Sequence, residues 1–193
     1  MPAVTRSNQF NLRGFNHVAL VCADMQDTVD FYEGILGFPL VKTLELGNHG
    51  QHFFFQVTEN DGIAFFWFSN VAAQAPGLAA AEWFAGEMNP SAAGGLAGKS
   101  AVGSMHHLSF NVPGDRLDEY RNRLIEAGVD VSDIVTQPGD DGDEMIRAFY
   151  FRDPDGVVLE FSAWSPAKAV PAFEPTHAAD AALRRTGRVA ITT

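Results

Sequence analysis

The phrase "FNHVALVC" at residues 15–22 and the phrase "MHHLSFNV" at residues 105–112 each place a histidine at the head of a short alternating run. Side chains of a strand point to opposite faces in turn. His17, Ala19 and Val21 therefore share one side of the first run, and Val18, Leu20 and Cys22 the other. In the second run His107, Ser109 and Asn111 stand opposite Leu108, Phe110 and Val112, which turns His106 toward the helix layer or the rim. A third polar group follows in "GVVLEF", where Glu160 shares a face with Val158 and Ser162 while Val157, Leu159 and Phe161 complete the apolar side. A carboxylate in such a strand is costly to bury without a partner. A cation is the simplest partner. Two imidazoles and one carboxylate, with other coordination positions open, suit Fe(II) and also Mn, Zn or Ni. His17, His107 and Glu160 are the candidate metal ligands.

The elements that must hold these residues occur twice. After "HVALVC", the segment "ADMQDTVDFYEGILGF" predicts a helix capped by Asp24, with Val29, Tyr32 and Leu36 on one face and Gly37 as its stop. "PLVKTLEL", "QHFFFQV" and "IAFFWF" then predict three strands, the last two joined at the turn "NDG". After "HHLSFNV", the segment "PGDRLDEYRNRLIEAG" predicts a helix with Leu117, Tyr120 and Leu124 on one face and Gly128 as its stop. "VDVSDIVTQ", "IRAFYF" and "VVLEF" supply three further strands, the last two around the turn "DPDG". Two copies are too few for a solenoid. The expected fold is α+β: two paired βαβββ modules, residues 13–70 and 104–165, forming a cup-shaped mixed β-sheet with helices outside in one domain at 13–165. Residues 71–103 form an Ala/Gly-rich connector longer than an ordinary loop, and its Trp83 and Phe84 suit a lid or an arm. Residues 166–193 read as a C-terminal tail with no assigned chemistry.

Composition narrows the partners. With 13 Lys and Arg against 24 Asp and Glu, the formal charge of −11 repels a phosphate backbone and an anionic membrane face. Neither nucleic acid nor a membrane is an expected partner. The amino terminus resembles no signal peptide and no run is long and apolar enough to span a bilayer, so a cytoplasmic location is expected. Cys22 stands alone in an apolar run, which excludes an intrachain disulfide and fits a buried thiol in a reducing compartment. Many of the 16 Phe fall between residues 53 and 84, as for an aromatic-lined interior.

Together, "NHVALVC", "HHLSFNV" and "FYFRDPDGVVLEF" resemble the vicinal oxygen chelate superfamily, which includes glyoxalase I, bleomycin-resistance proteins, fosfomycin-modifying enzymes and extradiol ring-cleaving dioxygenases. The resemblance covers both modules. It implies a glyoxalase-like fold, a divalent metal, ligand roles for His17, His107 and Glu160, and a homodimer. The extradiol signature ends in an apolar residue, Tyr, two spacers, an acidic residue, Pro, any residue and Gly before its ligand Glu. Phe149, Tyr150, Asp153, Pro154, Gly156 and Glu160 match that run. Its opening Gly-x-His has no counterpart in "DGDEMIRA". Laying "DGIAFFWF" over "DGVVLEF" sets Phe66 opposite Glu160, so the first module lacks the acidic or amide ligand of glyoxalase I. The phosphonate of fosfomycin calls for a cationic pocket that this acidic chain does not advertise.

The resemblance thus implies a metal-dependent enzyme most like an extradiol-type dioxygenase, with Fe(II) favoured and a small aromatic diol as substrate. Tyr150 would hydrogen-bond the bound oxygens, and His52, on one face of "HGQHFFFQV" with Phe54, would handle protons. Phe54, Phe66 and Phe68 would line the substrate pocket. The alternatives are a glyoxalase-type lyase or isomerase using another divalent metal, and a metal-free drug-binding protein of the bleomycin-resistance type.

Overall fold

Asp24 starts the first helix as the sequence predicts, its Oδ1 accepting the backbone N–H groups of Gln26 at 2.7 Å and Asp27 at 3.1 Å. The computed structural model describes residues 14–70, 105–138 and 144–165; the connector at 71–103 and the tail at 166–193 lie outside the described residues. The first module runs β1 (His17–Val21), α1 (Met25–Val29), a π-helical continuation (Asp30–Ile35), β2 (Leu40–Glu45), β3 (Gly50–Gln56) and β4 (Gly62–Phe68). The second runs β5 (Leu108–Asn111), α2 (Leu117–Glu126), β6 (Val135–Pro138), β7 (Glu144–Arg152) and β8 (Val158–Trp164). The π-helical turn shows in the Leu36 N–H, which reaches back five residues to the Phe31 carbonyl at 2.9 Å. Gly37 and Gly128 follow the helices with φ of 73° and 82°, a backbone form that only glycine adopts without strain.

Each module folds its strands into a four-stranded sheet, in the orders β1-β4-β3-β2 and β5-β8-β7-β6. The first strand of each sheet is parallel to the last, and the remaining pairs are antiparallel. This is the α+β pair of βαβββ modules that the repeat implies.

The modules join through their helix-facing sides. Tyr32 packs on Phe65 and Phe55 with ring centroids 4.7 and 5.7 Å away, Phe31 reaches Phe151 at 6.4 Å, and Phe38 meets Phe110 at 5.3 Å. Phe31, Tyr32, Phe55, Phe65 and Phe151 belong to one buried cluster that also holds Leu117, Leu124, Phe149 and Leu159, and the partly buried Phe38 and Phe110 pack against it. Burying such side chains contributes roughly 1.5–3 kcal/mol each. The β7–β8 turn adds polar ties: Tyr32 Oη donates to Asp153 Oδ2 at 3.0 Å, and the Ala23 N–H donates to Asp155 Oδ1 at 3.0 Å. The other face of the first sheet stays open, with Val21 48% and Leu44 38% exposed.

Strand register corrects one expectation. His17 pairs with Gly62 and Phe54 with Ala64, while Tyr150 pairs with Glu160. Phe54 is therefore the counterpart of Tyr150, and Ala64, not Phe66, that of Glu160. Asp61–Gly62 runs straight into β4, whereas Asp155–Gly156 stops short of β8 at Val158, so matching the two Asp-Gly pairs slips the alignment by two residues. Either way the first module carries no carboxylate at that place.

Candidate metal centre

Glu160 lies within β8, between Ser109 of β5 and Tyr150 of β7, and is 4% exposed. His107, just ahead of β5, brings its Nε2 to 3.2 Å from Glu160 Oε2. Its ring meets Tyr150 edge-on, with centroids 5.8 Å apart. Ser109 and Ser162 share a 2.7 Å hydrogen bond beside the carboxylate. Burial pushes the Glu160 pKa up, but hydrogen bonds from His107, Ser109 and Tyr150 outweigh it and hold the group below the usual carboxylate range. Glu160 is ionised at neutral pH and buried.

His106 is half-buried and contacts its neighbour His107. Strand β5 begins only at Leu108, so His106 and His107 both lie ahead of its alternation. The Nδ1 atoms of His106 and His107 lie 2.6 Å apart. Burial, then the neighbouring His107, lowers the His106 pKa, with Glu160 opposing. The sequence signal for this contact was the doubled histidine itself. The roles of Ser109 and Ser162 carried no comparable signal.

His17 occupies the equivalent position in the first module. Its Nδ1 lies 2.7 Å from Asn16 Oδ1, and its ring meets Phe54 edge-on at 5.6 Å, as His107 meets Tyr150. Within the chain the structure does not bring His17 to His107 and Glu160: among the described residues no three His, Cys, Asp or Glu side chains gather closely enough to hold a metal ion. The reason is the packing of the modules. Their helix-facing sides share the core, and His17 sits on the face directed away from it.

The remaining predicted residues share that face of the first sheet. His52 is buried, its Nδ1 donating to the Phe65 carbonyl at 3.0 Å, which leaves Nε2 as the acceptor of the neutral ring. It stacks on Phe66 at 3.6 Å and 5°, and contacts Phe54 at 4.2 Å. Phe68 continues the stack from Phe66 at 5.7 Å. His52, Phe54, Phe66 and Phe68 thus form one aromatic surface, while Tyr150 stands apart from it beside Glu160.

The model of the Glyoxalase/Bleomycin resistance protein/Dioxygenase superfamily matches residues 14–161. The chain belongs to this superfamily. The metallothiol transferase FosB of Shouchella clausii (strain KSM-K16) is 26% identical over 166 residues, covering 86% of this chain and 90% of that protein. Among solved structures, a glyoxylase/bleomycin resistance protein/dioxygenase domain from Frankia sp. EAN1pec superposes with a TM-score of 0.57 at 20% identity, covering 80% of this chain and 99% of that one. The fosfomycin resistance protein FosX of Listeria monocytogenes gives a TM-score of 0.51 at 18% identity, with 84% and 99% covered. Both superpositions establish the fold. No helix among the described residues is long and apolar enough to cross a membrane.

The glyoxalase superfamily implies a divalent metal, and the residues present fit one in part. His107 Nε2 and Glu160 Oε2 converge as a nitrogen and an oxygen donor, and among the described residues no Lys or Arg pairs with the buried, ionised carboxylate. A third protein donor has to come from elsewhere.

Proposed function

We propose that the chain is a metal-dependent vicinal oxygen chelate enzyme whose centre is completed by a second copy of itself. His107 and Glu160 of one subunit would hold the cation together with His17 from a two-fold-related subunit. The observation that carries this reading is Glu160, buried, ionised and aimed at the Nε2 of a histidine. The open face of the first sheet, where His17 and the exposed Val21 and Leu44 lie, is the surface that a second copy would cover. Once bound, the metal would supply Lewis-acid polarisation of neighbouring substrate oxygens.

The finer reading is an extradiol-type reaction on a small aromatic diol, with Fe(II). The stacked Phe54, Phe66 and Phe68 favour a flat, apolar substrate. His52, with Nε2 as its acceptor, is placed to take a proton on that surface. Tyr150, hydrogen-bonded to Glu160, would steady the chelated oxygens. A second reading is group transfer or lyase chemistry with another divalent metal, favoured by the similarity to a metallothiol transferase. Its demand for an anion site is met thinly, since Lys42 is the only Lys or Arg between residues 14 and 70.

Elemental analysis of untagged protein purified anaerobically, beside a His107→Ala variant, tests the proposal. Stoichiometric metal that the variant loses is expected. Iron together with oxygen uptake on catechols supports the diol reading; manganese, zinc or nickel together with thiol consumption supports transfer. Wild type that holds no metal even after reconstitution overturns both, and a metal-free binder of flat drugs then fits the aromatic surface better.

A further inference from the structure

The residue before each candidate ligand histidine bonds that histidine's Nδ1. In the first module Asn16 Oδ1 lies 2.7 Å from His17 Nδ1, and in the second His106 Nδ1 lies 2.6 Å from His107 Nδ1. A carboxamide oxygen only accepts, so His17 carries its proton on Nδ1 and presents Nε2 as a lone pair. In the second module an imidazole nitrogen stands where that oxygen does. We infer that His106 is a positioning residue of the metal centre, accepting the Nδ1 proton of His107 so that Nε2 faces Glu160 as a lone-pair donor. This rests on the metal reading proposed above.

A nitrogen that ligates a cation must be unprotonated, so a neutral imidazole bound through Nε2 keeps its proton on Nδ1 and needs an acceptor there. His107 Nε2 is the nitrogen on the Glu160 side, 3.2 Å from Oε2, which leaves Nδ1 for His106. Without a cation, Nε2 donates its proton to the carboxylate. With a cation bound, Nε2 would give up that proton and His107 would carry the proton of the Nδ1–Nδ1 line. His106 would then accept there and take a proton from solvent on its own Nε2, so that both rings stay neutral. The two rings cross at 75° with centroids 4.9 Å apart, so His106 also fixes the rotation of His107 about its own axis.

The test is calorimetric titration of the full chain with Zn(II), comparing wild type, His106→Asn and His106→Leu, with thermal melts to establish that each variant folds. The asparagine variant copies the first module and keeps an acceptor. It should bind within roughly threefold of wild type, whereas leucine should weaken binding by about 10- to 100-fold. In the Zn(II)-loaded wild type, nitrogen-15 spectra should show His107 protonated at Nδ1 and His106 unprotonated at Nδ1; should the leucine variant fail to fold, this spectrum decides. Leucine binding like wild type, asparagine falling as far as leucine, or a proton on His106 Nδ1 overturns the inference while leaving the metal reading standing. Wild type that takes up no Zn(II) removes both.

Discussion

His107 and Glu160 meet at 3.2 Å from opposite sides of the β5–β8 pairing, and the carboxylate is buried while the imidazole is the more open partner. His107→Ala leaves that carboxylate short of a donor, which should cost about 1–3 kcal/mol at pH 7 by urea unfolding. The sign of the pH dependence follows from the lowered native pKa. Ionised Glu160 stabilises the fold above its unfolded value of 4.5, and that contribution is lost as pH falls through the lower native value. The gap between wild type and variant should therefore close in acid; a gap that is constant with pH would mean that the alanine merely loosens packing.

A site shared between two copies predicts complementation. Neither His17→Ala nor Glu160→Gln should bind metal alone, yet a mixed dimer has one site with both wild-type contributions. After co-refolding at equal amounts, random pairing restores roughly one quarter of wild-type metal content. No recovery in a mixture shown to have exchanged subunits would place His17 outside the centre.

The elements were legible because local signals agreed with one another. Asp24 caps, Gly37 and Gly128 terminate, and His17 and Glu160 fall on their strand faces as alternation demands. Three things were not legible. The slip between Phe66 and Ala64 depends on where a loop hands over to a strand, which an Asp-Gly pair does not fix. The contact between His106 and His107 lies ahead of β5, which starts two residues later than the histidine pattern suggests. The separation of His17 from Glu160 is set by which faces of two modules pack together, and strand periodicity is blind to that: both sheets bury an apolar face whether the histidines converge within a chain or between chains.

Asp153 gives a second pH signature, opposite in sign. Burial raises its pKa to about 6 from the ordinary 3.8, outweighing the hydrogen bonds from the Val157 N–H and the Tyr32 hydroxyl. The native state then holds a proton that the unfolded chain releases. This contribution to stability is complete below about 4 and is lost as pH rises through about 6. Asp153→Asn should remove that fall, so thermal melts of the variant at pH 4 to 7 should rise relative to wild type with increasing pH. An unchanged difference across the range would show that Asp153 is already ionised throughout.

Cys22 reports on the junction of β1 with the first helix. It is 1% exposed, with its Sγ 3.5 Å from the Phe66 carbonyl and 4.0 Å from Met25 Sδ, and burial pushes the thiol pKa up. The reactive thiolate is thus both scarce and covered. Labelling by a disulfide reagent at pH 8 should be roughly a thousandfold slower in the native protein than in denaturant, because it waits for local opening of a core strand. Since β1 carries His17 at one end and Cys22 follows it at the other, stabilising the His17 end should slow labelling further. Under the shared-site reading, saturating Zn(II) should lower the rate in wild type and leave it unchanged in His17→Ala. A rate indifferent to the metal in both would separate β1 from the centre.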